Sequence, residues 1–180
     1  MDANDVLIDF LEDNRRRLHR FLGKLETDCL HWKPDPGANS IAVTVWHMGR
    51  LFDVFLTRLA RGEPPENECW YAEGWAEKTG YDPRGLGRDG WGSVNGYTAE
   101  QVADIPRFST EQLLDYYDAV LLRARGFVEA RQIEQLLAPA PGFEGQFTQY
   151  QIAQMAILDN ARHLGEIFAI KEMWTRRAGS

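Results

Sequence analysis

The chain has 180 residues, of which 44% are hydrophobic and 26% are charged, values typical of an ordinary soluble globular domain. Its net charge of −7 argues against nucleic acid or an anionic membrane surface as a partner. The N-terminus lacks the uninterrupted apolar segment of a signal peptide, and no stretch approaches 18 apolar residues. We therefore predict a single domain over residues 1–180, cytoplasmic, with no membrane or nucleic-acid partner.

Apolar residues at helical spacing predict two long helices in the first third of the chain. The first runs from about residue 4 to residue 24 along a leucine seam, and the second begins after Ser40, a good N-cap, and extends to about residue 61. His47 lies on the flank of the apolar face of the second helix. A lone histidine in such a place is more often a core-edge residue hydrogen-bonded to a carbonyl than a metal ligand.

Residues 62 to about 106 have a different composition, because glycine and proline are too dense there for long regular elements. The same stretch contains six aromatic residues, namely Trp70, Tyr71, Trp75, Tyr81, Trp91 and Tyr97. A disordered linker would be poor in aromatic residues. We therefore predict a long ordered aromatic loop, which either covers a site or caps one end of the core.

Two capping-box patterns mark the beginnings of the remaining long helices. Ser109 with Gln112 begins a third helix that extends to about residue 130, and Thr148 with Gln151 begins a fourth that extends to about residue 174. No part of the sequence has the alternating pattern of a β-sheet. Four long amphipathic helices in one domain predict an all-α four-helix bundle, with the aromatic loop between helices two and three.

An acid and a histidine interrupt the apolar stripe of the fourth helix. The stripe consists of Ile152, Ala156, Asp159, His163, Ile167, Ile170 and Trp174. An ionised aspartate in an apolar seam costs several kcal/mol unless a partner neutralises it, so the pair needs an explanation. Ile157, Ala161, Leu164 and Phe168 form a second apolar stripe on the same helix, and Gly165 would let another helix approach closely. We therefore expect a homodimer.

Two stretches of the chain resemble DinB-like proteins, the damage-inducible family of four-helix-bundle, metal-dependent enzymes. The resemblance of the connector and second helix rests on residues 32–34 (WKP), 36–41 (PGANSI) and 46–48 (WHM). The resemblance of the fourth helix rests on residues 163–167 (HLGEI), a histidine followed by Gly and Glu. The order of the elements and the long insertion before helix three also fit that family.

The resemblance implies that His47, Asp159 and His163 hold a divalent metal ion, although many members of the family have histidine at the position of Asp159. Relatives that resemble thiol-dependent maleylpyruvate isomerases have a carboxylate at that position. Residues four apart on a helix lie about 6 Å from one another, so Asp159 and His163 can share one ion. Two imidazoles and a carboxylate suit zinc, nickel, iron or manganese and leave coordination positions open.

The resemblance further implies a metal-dependent transferase or isomerase in which a low-molecular-weight thiol attacks a small electrophilic substrate. Metal-assisted hydrolysis is a close variant, and the sequence identifies no separate catalytic base. The alternative is a metal-free, non-enzymatic dimeric bundle that binds a small ligand or a partner. In that case Asp159 forms a hydrogen-bonded pair with His163 or His47 that only fixes packing.

Overall fold

The computed structural model describes residues 3–178, so residues 1–2 and 179–180 of the predicted domain lie outside the described chain. Nine α-helices are present there: α1 (Ala3–Leu22), α2 (Thr27–His31), α3 (Ile41–Val54), α4 (Cys69–Ala72), α5 (Trp75–Thr79), α6 (Ala99–Ala103), α7 (Thr110–Glu129), α8 (Ile133–Leu136) and α9 (Gln149–Ala178). The long helices α1, α3, α7 and α9 form the bundle, in which α1 and α3 each pack against both α7 and α9. The predicted all-α four-helix bundle is confirmed.

Side-chain caps fix the beginnings of α3, α7 and α9, because they satisfy amide groups that have no partner within the helix. Ser40 Oγ accepts a hydrogen bond from the amide of Val43 at 3.3 Å, ahead of α3. Ser109 and Gln112 form the predicted reciprocal capping box ahead of α7. Thr148 and Gln151 exchange the same pair of hydrogen bonds ahead of α9. The helices therefore begin where local side-chain chemistry predicts.

The last turns of two helices differ from the prediction, one in helix type and the other in length. The predicted second helix is α-helical only to Val54 and continues as a π-helix over Phe55–Ala60. Helix α9 continues past Trp174 to Ala178, and in this last turn the guanidinium of Arg177 packs 3.9 Å from the centroid of the Trp174 ring. Although α9 has 30 residues, no helix within residues 3–178 is long and apolar enough to cross a membrane.

The segment between α3 and α7 is ordered and packed through its aromatic residues. Trp70, at the heart of this segment, is only 1% exposed. Its ring packs edge-on against Trp46 of α3, with centroids 5.7 Å apart, and against Tyr116 of α7 at 4.8 Å. The predicted aromatic loop is thus part of the hydrophobic core and is joined to two helices of the bundle.

Candidate metal centre

The structure brings together the three side chains that the sequence singled out. Helix α3 contributes His47, and α9 contributes Asp159 and His163 one turn apart. Nε2 of His163 lies 3.5 Å from Oδ2 of Asp159, and Nε2 of His47 lies 3.9 Å from the same oxygen. One ligand atom from each residue lies within 4.8 Å of those of the other two. The three side chains are therefore close enough to hold one ion.

The site lies at the edge of the core and not at its centre. The side chain of His47 is 7% exposed, whereas those of Asp159 and His163 are 20% and 24% exposed. Ala156 and Ile167, on either side of the pair along α9, are buried. The sequence therefore predicted the correct stripe but overestimated the burial of its two polar members. Their partial exposure leaves the centre accessible from solvent.

The Nε2 atom of His47 has a free lone pair, because the ring proton is on Nδ1, which makes a hydrogen bond. Nδ1 of His47 makes a short hydrogen bond to the main-chain carbonyl of Ser93, in the loop between α3 and α7. A carbonyl oxygen can only accept, so Nδ1 carries the proton. Burial lowers the pKa of His47, with the Ser93 carbonyl opposing that shift, and the ring is therefore neutral near pH 7.

His163 is oriented in the same way, but by a carboxylate. Nδ1 of His163 lies 2.6 Å from Oε2 of Glu166, and Oε1 of Glu166 accepts a hydrogen bond from Thr44 of α3 at 3.4 Å. The contact with Glu166 raises the pKa of His163, and the same contact lowers the pKa of Glu166. Histidines that bind metals almost always donate their second ring N–H to a carboxylate or a carbonyl, as both rings do here.

The carboxylate of Asp159 has an oxygen that nothing in the described chain satisfies. Oδ2 is buried and has no hydrogen-bond partner among residues 3–178, since both histidine nitrogens are too distant for one. Arg162 lies 3.9 Å from the other oxygen, but its side chain is 82% exposed, so it contributes little. Leaving a buried carboxylate oxygen unpaired is unfavourable.

Two imidazole nitrogens and a carboxylate oxygen thus face one another, and no side chain or amide of residues 3–178 donates a hydrogen bond to the oxygen. A divalent cation would satisfy all three, and zinc, nickel, iron and manganese take this mixture of ligands. A proton on His163 would satisfy only part of the set. The residues present therefore fit a metal ion.

Sequence reasoning missed the two groups that orient the histidines. Glu166 is detectable, because it lies three residues after His163 and so falls on the same face of α9. The Ser93 carbonyl is not detectable, because every residue has a main-chain carbonyl and Ser93 lies 46 positions from His47. Only the folded loop brings it to the ring.

The fold and the site together define a helical bundle with a His/Asp/His group between two facing helices that could hold a metal ion. Residues 11–167 match the family model of the DinB superfamily, and the chain belongs to that family. A solved structure described as the conserved protein of locus from Enterococcus faecalis is similar in fold. Its TM-score is 0.78 at 20% identity, over 96% of this chain and 97% of that one. No curated protein matches the sequence.

Proposed function

We propose that the protein is a metal-dependent enzyme of the DinB superfamily in which His47, Asp159 and His163 are the metal ligands. The observation that carries this proposal is the convergence of three acceptor atoms, of which the buried Oδ2 of Asp159 has no hydrogen-bond donor among residues 3–178. A structural polar cluster would be expected to pair its acceptors with donors. A binding site for a cation would not.

The chain's own groups prepare this centre in three ways. Ser93 and Glu166 hold the rings of His47 and His163 so that both Nε2 atoms face Asp159. Asp159 supplies a negative charge at the point where the ion would bind. Three protein ligands leave coordination positions open, and the partial exposure of Asp159 and His163 gives small molecules access to them. A bound divalent cation would lower the pKa of a water molecule or thiol and so supply a nucleophile near neutral pH.

We infer that the reaction is a transfer or isomerisation in which a low-molecular-weight thiol attacks a small electrophilic substrate. Membership in the DinB superfamily supports this, together with the carboxylate at position 159, which resembles thiol-dependent relatives. Hydrolysis is the close variant, with water in place of the thiol. Dependence of turnover on added thiol distinguishes these reactions from hydrolysis, since a transferase consumes the thiol, an isomerase requires it but releases it again, and hydrolysis requires none.

Elemental analysis of protein purified without a histidine tag tests the metal site. We expect about one divalent ion per chain, or stoichiometric uptake of zinc, nickel, iron or manganese by protein stripped with a chelator. Protein that contains none of these ions, and takes up none at micromolar concentrations, would exclude the metalloenzyme.

The second candidate is the metal-free bundle that binds a small ligand or a partner without catalysis. One observation favours it, because His163 lies between Asp159 and Glu166 and its pKa is raised. A protonated His163 could then provide the positive charge that a metal would otherwise provide. In that protein Asp159 stabilises the fold, and its loss lowers stability whether or not metal is added.

We also propose that a second copy of the chain covers the groove between α1 and α9. This groove encloses about 470 Å³ and is lined by residues that include Val6, Phe10, Leu158 and Phe168, all exposed large apolar side chains. None of the three candidate ligands lines it. Gly165 leaves further room, because a Cβ built there would meet no atom within 4 Å. Monomers rarely expose large continuous apolar surfaces, and a two-fold dimer would cover the same groove on both copies.

Sedimentation of two matched variants tests the dimer. Leu158 lies in the groove and is 56% exposed, whereas Leu122 lies outside it on α7 and is 72% exposed. We expect Leu158→Glu to dissociate the protein into monomers and Leu122→Glu to leave it dimeric. A wild-type protein that sediments as a monomer at tens of micromolar would contradict the proposal.

A further inference from the structure

Val94 adopts a backbone conformation that its side chain disfavours. Its φ is +74°, in the left-handed region that favours glycine, and Val94 directly follows Ser93, whose carbonyl meets His47. Asp89, Phe143 and Glu144 are the other non-glycine residues with positive φ among those described, and none of them is β-branched. A β-branched residue in this region is a genuine outlier, and such outliers concentrate at functional sites.

The dihedral angle at Val94 sets the direction of the Ser93 carbonyl. The C=O of Ser93 and the N–H of Val94 belong to one planar peptide unit. Rotation about φ of Val94 turns that whole plane relative to the chain that follows. A change of φ from +74° to the ordinary negative range would swing the carbonyl away from Nδ1 of His47.

Hydrogen bonds on both sides of Val94 hold the disfavoured conformation. Before it, the guanidinium of Arg50 donates to the carbonyls of Trp91 and Gly92, at 3.2 and 3.3 Å. After it, the amide of Tyr97 donates to the carbonyl of Val94 at 2.9 Å. Arg50 lies one turn after His47 on α3, so the helix that carries the histidine also fixes the loop that contacts it.

We propose that Val94 is a positioning residue for His47: its left-handed backbone aims the Ser93 carbonyl at Nδ1, which keeps Nε2 as a lone pair facing Asp159. This rests on the proposed metal site, since the lone pair is useful only to a group that binds there. Without the carbonyl, either ring nitrogen can carry the proton, and a proton on Nε2 prevents that atom from binding a metal.

The contact involves the main chain of Ser93 and not its hydroxyl. The hydroxyl oxygen is buried and has no hydrogen-bond partner in the described chain. Ser93→Ala therefore removes the hydroxyl but keeps the carbonyl, which makes it the matched control for the variants at position 94.

Two substitutions at position 94 have opposite consequences for the backbone. Glycine adopts positive φ readily, so Val94→Gly permits the native direction of the carbonyl. Proline fixes φ near −65°, so Val94→Pro forbids it. The amide of Val94 donates to no main-chain carbonyl among the described residues, but it contacts the hydroxyl of Tyr97, and proline also removes that contact. Far-UV circular dichroism establishes that each variant is folded.

The first measurement is the tautomer of His47 in metal-free protein, read from the ring nitrogen shifts of histidine labelled with ¹⁵N. We expect the proton on Nδ1 in wild type, Ser93→Ala and Val94→Gly, and a shift of the proton toward Nε2 in Val94→Pro. The second is zinc affinity, by competition with a chelator. We expect Val94→Pro to bind zinc about 10- to 100-fold more weakly, the usual cost of losing such an outer partner, and the other two variants to bind like wild type.

A folded Val94→Pro protein with the wild-type tautomer and zinc affinity would overturn the assignment of Val94. A loss of zinc affinity in Ser93→Ala equal to that in Val94→Pro would overturn it too, because the hydroxyl would then be the active group. If no protein binds zinc but the tautomer still depends on residue 94, the proposed metalloenzyme fails while the positioning by Val94 stands.

Discussion

Two polar clusters lie one turn apart on α3. The carboxylates of one have hydrogen-bond donors, whereas the carboxylate of the other has an oxygen without one. The cluster around Arg50 includes Asp53 and Glu68, and all three side chains are fully buried. The cluster around His47 includes Asp159 and His163, which are partly exposed. Both clusters also contact the loop between α3 and α7. Their difference lies in whether the acceptors have donors.

The acceptors of the Arg50 cluster are satisfied. Asp53 accepts from the amides of Cys69 and Trp70, at 2.8 and 3.0 Å, and from the hydroxyl of Tyr116 at 3.0 Å. One carboxylate oxygen of Glu68 accepts a hydrogen bond from Arg50 at 2.8 Å, and the other accepts one from Arg58. In the second cluster, Oδ2 of Asp159 has no donor in the described chain. A buried hydrogen-bond network whose acceptors all have donors stabilises one structure, whereas a network with an unpaired acceptor can bind a cation there.

Removal of Arg50 should have the largest effect on stability, because it leaves two buried carboxylates without their shared cation. We expect Arg50→Met to destabilise the metal-free protein by about 3–5 kcal/mol in chemical denaturation. Arg84→Met is the matched control, because Arg84 pairs with Asp82 on the surface and its loss should change the unfolding midpoint little. If both substitutions lowered stability equally little, the buried Arg50 cluster would contribute no more to stability than a surface ion pair, which would contradict this prediction.

Glu166→Gln should weaken metal binding and leave stability nearly unchanged. Glutamine keeps an oxygen near Nδ1 of His163 but removes the charge that orients and polarises the ring. We expect zinc affinity to fall about 10- to 100-fold at pH 8. Thr44→Val removes only the 3.4 Å hydrogen bond to Glu166 and should have a smaller effect. A zinc affinity of Glu166→Gln equal to that of wild type would mean that the charge of Glu166 is dispensable and that the residue acts by packing alone.

The pH dependence of metal binding follows from the raised pKa of His163. Below that pKa the ring of His163 holds a proton that a metal must displace, whereas burial lowers the pKa of His47, so His47 loses its proton at a lower pH than His163. Zinc affinity should therefore rise about tenfold per pH unit below the pKa of His163 and level off above it. In Glu166→Gln the pH at which zinc affinity levels off should be lower than in wild type. Affinity that stays constant between about pH 5 and 6.5 would contradict this account.

The bundle could be predicted from sequence because its determinants are local. Seams at helical spacing identify the long helices, and Ser40, Ser109 and Thr148 mark three of their beginnings. The π-helix at Phe55–Ala60 could not be predicted, since its apolar residues fit an α-helical seam equally well. Its altered hydrogen bonding depends on packing that the sequence pattern does not encode.

The sequence predicted only those parts of the candidate site that are formed by side chains with a recognisable spacing or motif. The spacing of Asp159 and His163 and the resemblance around His47 were sufficient to name the three residues. The loop's contribution was not, because it consists of a main-chain carbonyl held by Val94 in an unusual conformation. The Arg50 cluster was missed as well, since charged residues on a helix ordinarily face solvent.

Thermal denaturation with and without metal tests most directly whether the unpaired acceptors at Asp159 bind a cation. We predict that zinc raises the melting temperature of chelator-stripped wild type and that Asp159→Ala abolishes this increase. We also predict that metal-free Asp159→Ala melts no lower than metal-free wild type, because Oδ2 loses no hydrogen bond. A wild-type melting temperature indifferent to zinc, nickel and chelator, together with a destabilised Asp159→Ala, would contradict the account.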